Sequence, residues 1–380
     1  MQKIPRWIRL IVLPILMAMV LMVMVLLVSR WVLQRQQRQH SQVLLKSGVE
    51  ELFSVALGGW KQWVFVRGKH KKAPLLLWLH DGPGGPSGMV FSRAFETPLL
   101  DHFLVAHWEQ RGTGKSFSRG LSASTMSVAQ FRRDLVALVE HLCTRYKRKK
   151  IFLVGHGWGS TLGLWYASKY PQKLWAYVGV SQILDWLKHW QEAYTVTLKR
   201  ARKVERQEAI EKLSQLGAPP YTELSSLRLL QRWVAEFGGY MHRYPEFGKI
   251  FKASLSSPEY TLRDLWVSGQ AYQFSSQHLL LPAIRRVKLS SIQKVEAPLW
   301  FADGQYSLLS GGKQLQRWFA RVQAPKKAIK NFDASGFSPH REQAAVFYRW
   351  LIQALNGIQH QRGIQKPLLR LNRTKPQATE

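Results

Sequence analysis

Six short, largely apolar runs constrain this chain most: Pro74–Leu79, Phe103–Ala106, Ile151–Val154, Tyr177–Val180, Pro298–Phe301 and Ala328–Phe332. Runs of this length, bounded by glycine-rich or polar turns, read as strands buried on both faces. Helix-patterned stretches separate most of them, which predicts a mainly parallel sheet covered by helices on both sides. Before them, Glu50–Val66 reads as paired strands around Gly58-Gly59. Residues 185–290 break the rhythm. They are helix-patterned, carry Trp186, Trp190, Trp233 and Trp266, and lack strand runs, so they are expected to form an inserted helical cap. With 380 residues, 46% of them hydrophobic, the chain has ample material for a core, and global disorder is excluded.

A different constraint sits at the N-terminus. Leu10–Val28 is a run of 19 uncharged residues, all apolar apart from Pro14. At 1.5 Å per residue it spans roughly 28 Å, close to the hydrocarbon core of a bilayer. Pro14 lies in the first turns, where a missing N–H matters least. The rival reading is a cleaved signal peptide; the Val28-Ser29-Arg30-Trp31 stretch offers no small-x-small cleavage site, which favours an uncleaved, single-pass anchor. Lys3, Arg6, Arg9 and the terminal amine before the span balance Arg30, Arg35, Arg38 and Lys46 after it, so charge does not choose the orientation. A short basic tail kept inside is the commoner arrangement and leans toward an exported domain.

The formal net charge is +32, with 55 Lys+Arg against 23 Asp+Glu. Only six of the bases and no acid precede residue 41, so the remainder is strongly basic by itself. No zinc-finger, RNA-binding or basic-zipper pattern accompanies this charge, and no nucleic-acid partner is expected. The densest basic run, Arg145 to Lys150, reads either as a solvated loop before a strand or as a contact for anionic lipid headgroups. The single cysteine, Cys143, excludes an intramolecular disulfide and a cysteine-based zinc site. No metal-ligand spacing occurs, and no cofactor is expected.

Three segments follow predicted strands at the ends where open α/β sheets place their sites. His80-Asp81-Gly82-Pro83-Gly84-Gly85-Pro86 reads either as a tight turn or as a loop whose N–H groups face an oxyanion. Trp108-Glu109-Gln110-Arg111-Gly112-Thr113-Gly114-Lys115-Ser116 is the second. Gly155-His156-Gly157-Trp158-Gly159-Ser160 is the third, at the strand-to-helix turn where a G-x-S-x-G nucleophile elbow would sit.

Taken together, over roughly residues 47–357, these segments resemble the proline iminopeptidase-like branch of the α/β-hydrolase superfamily, which reads HGGPGG, then WDQRGxGxS, then GxSWGS. Tyr260–Leu265 at the cap's exit and Pro325-Lys326-Lys327 before the last strand add to the likeness. The resemblance implies an α/β-hydrolase sheet with an inserted helical cap. It also implies that the three triad positions are vacated: Gly157 stands where the family has its serine, Ser307 where it has its acid, and Phe337 where it has its histidine. Gly82 and Trp158 would supply the N–H groups of an oxyanion pocket, although Asp81 replaces that loop's first glycine. Ser160, His340 and Asp303 lie near the vacated positions, and they read as a helix-turn serine, a surface histidine and a turn aspartate. His156, beside the elbow, has no nucleophile to serve. Members with peptidase activity hold a substrate's amino terminus on cap acids; Glu192, Glu205, Glu208, Glu211, Glu223, Glu236 and Glu246 are available here, and surface pairing with neighbouring bases accounts for them as well. The losses have a physical logic. A serine at the elbow is held in a backbone conformation costing on the order of 1–3 kcal/mol, which glycine avoids. An unpaired buried carboxylate at the acid position is a further liability.

The expected organisation is a basic tail (1–9), a transmembrane anchor (10–28), a juxtamembrane linker (29–46), a hydrolase core in two parts (47–184 and 291–357) around the cap (185–290), and a basic disordered tail (358–380). The expected function is that of a membrane-anchored pseudoenzyme that binds a small ligand or a protein partner; the alternative is an active serine hydrolase of the proline iminopeptidase or esterase kind.

Overall fold

The computed structural model describes residues 6–85, 88–242, 247–309 and 312–361. A 39-residue helix, α1 (Arg6–Leu44), leads into a β-hairpin, β1 (Val49–Leu57) and β2 (Trp60–Gly68), turning at Gly58-Gly59. Then follow β3 (Leu75–Leu79), α2 (Gly88–Phe95), β4 (Leu104–Glu109), α3 (Val128–Arg145), β5 (Ile151–His156), α4 (Trp158–Lys169) and β6 (Leu174–Val180). The cap comprises α5 (Trp186–Lys203), α6 (Gln207–Leu216), α7 (Leu224–Glu236), α8 (Phe247–Ser256), α9 (Leu262–Ser275) and α10 (Leu281–Arg286), the last two joined by a π-turn. The chain returns through β7 (Leu299–Gly304), α11 (Gly312–Arg321), β8 (Lys327–Phe332), α12 (Pro339–Glu342) and α13 (Ala344–Gln361).

The eight strands order as β1-β2-β4-β3-β5-β6-β7-β8; β1, β2 and β4 pair antiparallel and the rest parallel. β3, β4 and β5 are buried along their whole length, as strands covered on both faces must be. Side chains alternate between the two layers: Leu75, Leu77 and Leu79 join one core, while Leu76 and Trp78 join the other with α13. β1 sits at the sheet edge and alternates between covered and solvated positions. Register sets Leu79 beside Gly155, so the loops that follow β3 and β5 emerge side by side.

Helix starts follow local chemistry. Ser127 and Asp185 accept hydrogen bonds from Gln130 N and Lys188 N at the starts of α3 and α5, and Thr261 forms a capping box with Asp264 at α9.

Two expected boundaries and one reading of a basic run change. The stretch 29–46 is not a separate linker, because α1 continues unbroken through Leu44 and docks on the cap. Arg30 donates to Leu255 O at 2.7 Å and to Tyr260 O at 2.6 Å, and Gln34 donates to Ser257 O at 2.9 Å. Leu255 O lies in the last turn of α8, where a helix leaves acceptors unpaired, and Ser257 O and Tyr260 O lie in the turn between α8 and α9. At the other terminus α13 is helical through Gln361, past the expected boundary at 357; the rest of the expected tail lies outside the described residues. The basic run is also less free than a solvated loop. Arg145 pairs with Glu51 at 2.7 Å, and Arg148 donates to Ala73 O and Lys71 O. Glu51 follows the end of α1 by only a few residues. It lies on the edge strand β1, so Arg145 is tied to the sheet rather than to the helix that carries the apolar run.

Candidate active site

The strand-to-helix turn after β5 has the elbow's geometry. Gly157 takes φ 52° and ψ −112° between β5 and α4, a conformation that L side chains rarely adopt. Glycine enters it without strain. Gly155 and Gly159 flank it for a different reason: a Cβ at Gly159 would collide with the Leu79 backbone, so their smallness lets α4 approach the sheet.

Gly157 brings no side chain to this turn, and the space beside it is filled. A Cβ on Gly157 would collide with the Asp81 carboxylate and lie 2.8 Å from Phe337 Cζ. Asp81 Oδ1 accepts from the Trp158 N–H at 2.9 Å, and the Gly82 N–H also holds this carboxylate. These are the two groups expected to face a substrate oxyanion, and a carboxylate of the chain already engages both. Burial pushes the Asp81 carboxyl up to about 6, with the two N–H groups opposing that rise.

Around this point the chain collects neutral imidazoles. His156 donates from Nε2 to Phe337 O at 2.9 Å and packs on the Phe337 and His340 rings. Burial lowers His156 to about 3 and His80 to about 4, and drives His340 well below its ordinary value. His80 donates through Nδ1 to Asp81 O and accepts at Nε2 from Gln110 N, which orients the loop carrying Asp81.

Ser160 is a helix-turn serine: its hydroxyl donates to Gly157 O at 2.6 Å and accepts from Ile183 N at 3.1 Å. His340 is not on the surface. It is buried against Trp78, His156 and Phe347, because α12 is pressed onto the sheet. Asp303 is not in a turn but on β7, buried, accepting from Gly304 N. Ser307 lies in the loop after β7, where its hydroxyl accepts from Leu309 N. Phe337 lies in the loop after β8, and its carbonyl also accepts from Ser181 Oγ.

The second glycine-rich segment is structural. Arg111 is buried and forks onto Asp134 (2.9 and 3.1 Å), while its Nη2 also donates to Leu57 O. Lys115 pairs with Asp264 at 2.8 Å, and Tyr260 donates to Glu109, tying the cap to the core.

Under the cap lies a cavity of about 260 Å³, walled in part by Asp81, Trp186, His189, Trp190, Tyr240 and Phe337. Trp186, His189 and Trp190 share one face of α5 through their i, i+3, i+4 spacing. That spacing is the sequence signal for this shared face. The Trp190 indole N–H has no hydrogen-bond partner among the described residues. Among the cap glutamates, Glu208 and Glu236 pair with Arg206 on the surface, and Glu246 lies outside the described residues. No cluster of metal-ligating side chains occurs among the described residues.

This strand order, with its turn after β5 and its cap between β6 and β7, defines an α/β-hydrolase fold. The sequence profile of the family described as serine aminopeptidase, S33, matches residues 91–217. A probable aminopeptidase, YbaC of Bacillus subtilis, is 28% identical over 308 residues, 80% of this chain and 95% of that protein. The proline iminopeptidase of Lactobacillus crispatus is 32% identical over 30% of this chain and 36% of its own length. Among solved structures, the proline iminopeptidase of Mycobacterium smegmatis superposes with a TM-score of 0.59 at 18% identity, covering 82% of this chain and all of that one. A membrane phospholipase A described as a bacterial virulence factor gives 0.61 at 15% identity, covering 92% and 98%. The chain is thus an α/β-hydrolase-fold protein with proline iminopeptidase-like homologues, preceded by an apolar helix long enough to cross a membrane.

Proposed function

We propose that this chain is a membrane-anchored α/β-hydrolase-fold protein that has given up hydrolysis and uses its capped cavity to bind a small ligand. Gly157, Ser307 and Phe337 are read as the vacated nucleophile, acid and base positions. The observation that carries this reading is the Asp81 carboxylate on the Trp158 N–H. Acyl transfer needs a nucleophile at the elbow and free donors for the developing oxyanion. Here the first is a glycine and the second are occupied by a fixed negative charge. The Ser160 hydroxyl is spent on backbone groups, and the His156 imidazole donates to a carbonyl. Support for a ligand comes from the aromatic walls of the cavity and from the Trp190 N–H, without a partner among the described residues, which suits a compact, largely apolar molecule bearing one acceptor. Support for the anchor comes from the length and apolarity of α1. The relatives' names, all hydrolases where they state an activity, favour the second reading, an active serine hydrolase.

Fluorophosphonate labelling of the detergent-purified full chain separates the two readings, with an active proline iminopeptidase as positive control. No labelled serine is expected, and hydrolysis of proline-naphthylamide should not exceed a protein blank. In serine hydrolases loss of the nucleophile or base alone costs about 10⁶ in kcat. Labelling of any serine, with turnover abolished by the same reagent, overturns the proposal. The same logic sets the conditions for rescue: Gly157→Ser, Phe337→His and Ser307→Asp remain silent together until Asp81→Gly frees the N–H groups.

A further inference from the structure

Trp266, on α9, is 80% exposed, more than any other large apolar side chain among the described residues. Leu262, one helical turn earlier on the same face, is 49% exposed. Neither contributes to the cap's packing around the cavity. Trp266 instead edges a basic groove of about 500 Å³ shared with Lys61, Lys115, Arg119 and Arg263. The acid there, Asp264, is engaged by Lys115.

The location of this patch follows from α1. Arg30 is two residues past the end of the apolar run, about 3 Å along the helix. It donates to Tyr260 O, and Leu262 is two residues beyond Tyr260, at most roughly 8 Å of chain away. The interfacial layer on each side of a bilayer core is about 5–8 Å deep. If α1 crosses the membrane, the first turn of α9 therefore emerges at headgroup level. An exposed tryptophan beside arginine and lysine is the chemistry that this layer selects: the indole partitions to the interface, and the cations are drawn to anionic lipid.

We propose that Leu262, Arg263 and Trp266 form a second lipid contact, seating the cap on an anionic bilayer surface. This rests on the reading of α1 as a membrane anchor. It takes the place of Arg145–Lys150 as the site of headgroup contact, since Arg145 is engaged by Glu51 and Arg148 by the Lys71 and Ala73 carbonyls. Because α1 is bonded to the end of α8, the helix and α9 meet the membrane as one unit, and the domain takes a fixed orientation on the surface.

The test uses the full chain in nanodiscs of phosphatidylcholine, alone or mixed with phosphatidylglycerol. An environment-sensitive fluorophore is placed at Leu262→Cys, or at Met22→Cys within the apolar run; Cys143 is buried and does not compete under native conditions. Deep nitroxide lipids should quench the label at 22, and shallow ones the label at 262. Quenching at 262 should rise about twofold with phosphatidylglycerol and fall when Trp266→Ala is added. Quenching at 22 without quenching at 262 overturns the second contact and leaves the anchor standing. A label at 262 that is shielded yet unquenched by either nitroxide means that a protein surface covers the patch, which also overturns it. Quenching at 262 that ignores lipid charge removes the anionic preference. No quenching at 22 removes the anchor and this inference together.

Discussion

Asp81 is the residue on which the site turns. Its carboxyl is raised to about 6 by burial, against an ordinary value near 3.8. Between those values the folded chain holds a proton that the unfolded chain has released. Stability therefore declines as pH rises from about 4 to 6, and ionised Asp81 costs up to roughly 3 kcal/mol above that window. Asp81→Asn should accordingly stabilise the protein by about 1–3 kcal/mol near neutrality and by almost nothing near pH 4. Urea melts at the two pH values read this directly, and an equal effect at both would show that the carboxyl is not shifted. Gly157→Ser should cost roughly 2–4 kcal/mol, combining backbone strain with the collision against Asp81. Much of that cost should vanish in an Asp81→Gly background. A double-mutant cycle without coupling would mean that the two residues do not compete for one space.

Two element-level joints hold segments of this fold together. The Arg111–Asp134 fork binds the segment after β4 to α3, with Gln62 and Gln130 also donating to Asp134. Removing one partner strands a buried charge, so Asp134→Ala should lose about 3–5 kcal/mol in denaturant melts. A loss below about 1 kcal/mol would place the pair among weakly contributing bridges. The second joint is Arg30 on one carbonyl in the last turn of α8 and one just before α9. Arg30→Ala should loosen α1 from the cap and speed tryptic cleavage at Arg35 and Arg38, while leaving the sheet's melting transition unchanged. Unaltered cleavage kinetics would show that other contacts suffice to hold the helix.

For the molecule as a whole, buried imidazoles dominate the response to acid. His80 is lowered to about 4, His156 and His189 to about 3, and His340 well below its ordinary 6.5. As pH falls below about 6.5 the unfolded chain binds protons that the folded chain refuses, so stability drops. Four such groups give on the order of 5 kcal/mol per pH unit, and Asp81 offsets about one quarter of it between pH 6 and 4. Steep unfolding is expected between about pH 6 and 4, and the pH dependence of stability should report uptake of about three protons. Uptake below one would mean that these rings are not buried neutral in solution. The proposed membrane attachment is tested on the whole chain: alkaline carbonate and high salt should leave it in the membrane fraction, and detergent should release it. Release by salt alone would show that charge, not the apolar span, holds it.

Much of this protein is legible in one dimension because the signals are local. Apolar runs of strand length, glycines at tight turns and the 19-residue span each act through neighbouring residues, and they led to the sheet, the cap and α1. Gly157 belongs here too, since its positive φ is demanded by the turn in which it sits. Contacts between distant segments were not legible. That Asp81 lies against the Trp158 N–H depends on the register between β3 and β5, and that His340 and Asp303 are buried depends on how α12 and β7 meet the sheet. The length of α1 was hidden because a polar stretch after an apolar one reads as linker until α8 supplies the carbonyls that Arg30 caps. Local propensity determines which elements form; only their packing decides which charges lose water, which donors are already engaged, and which side of the domain lies nearest the end of the apolar helix.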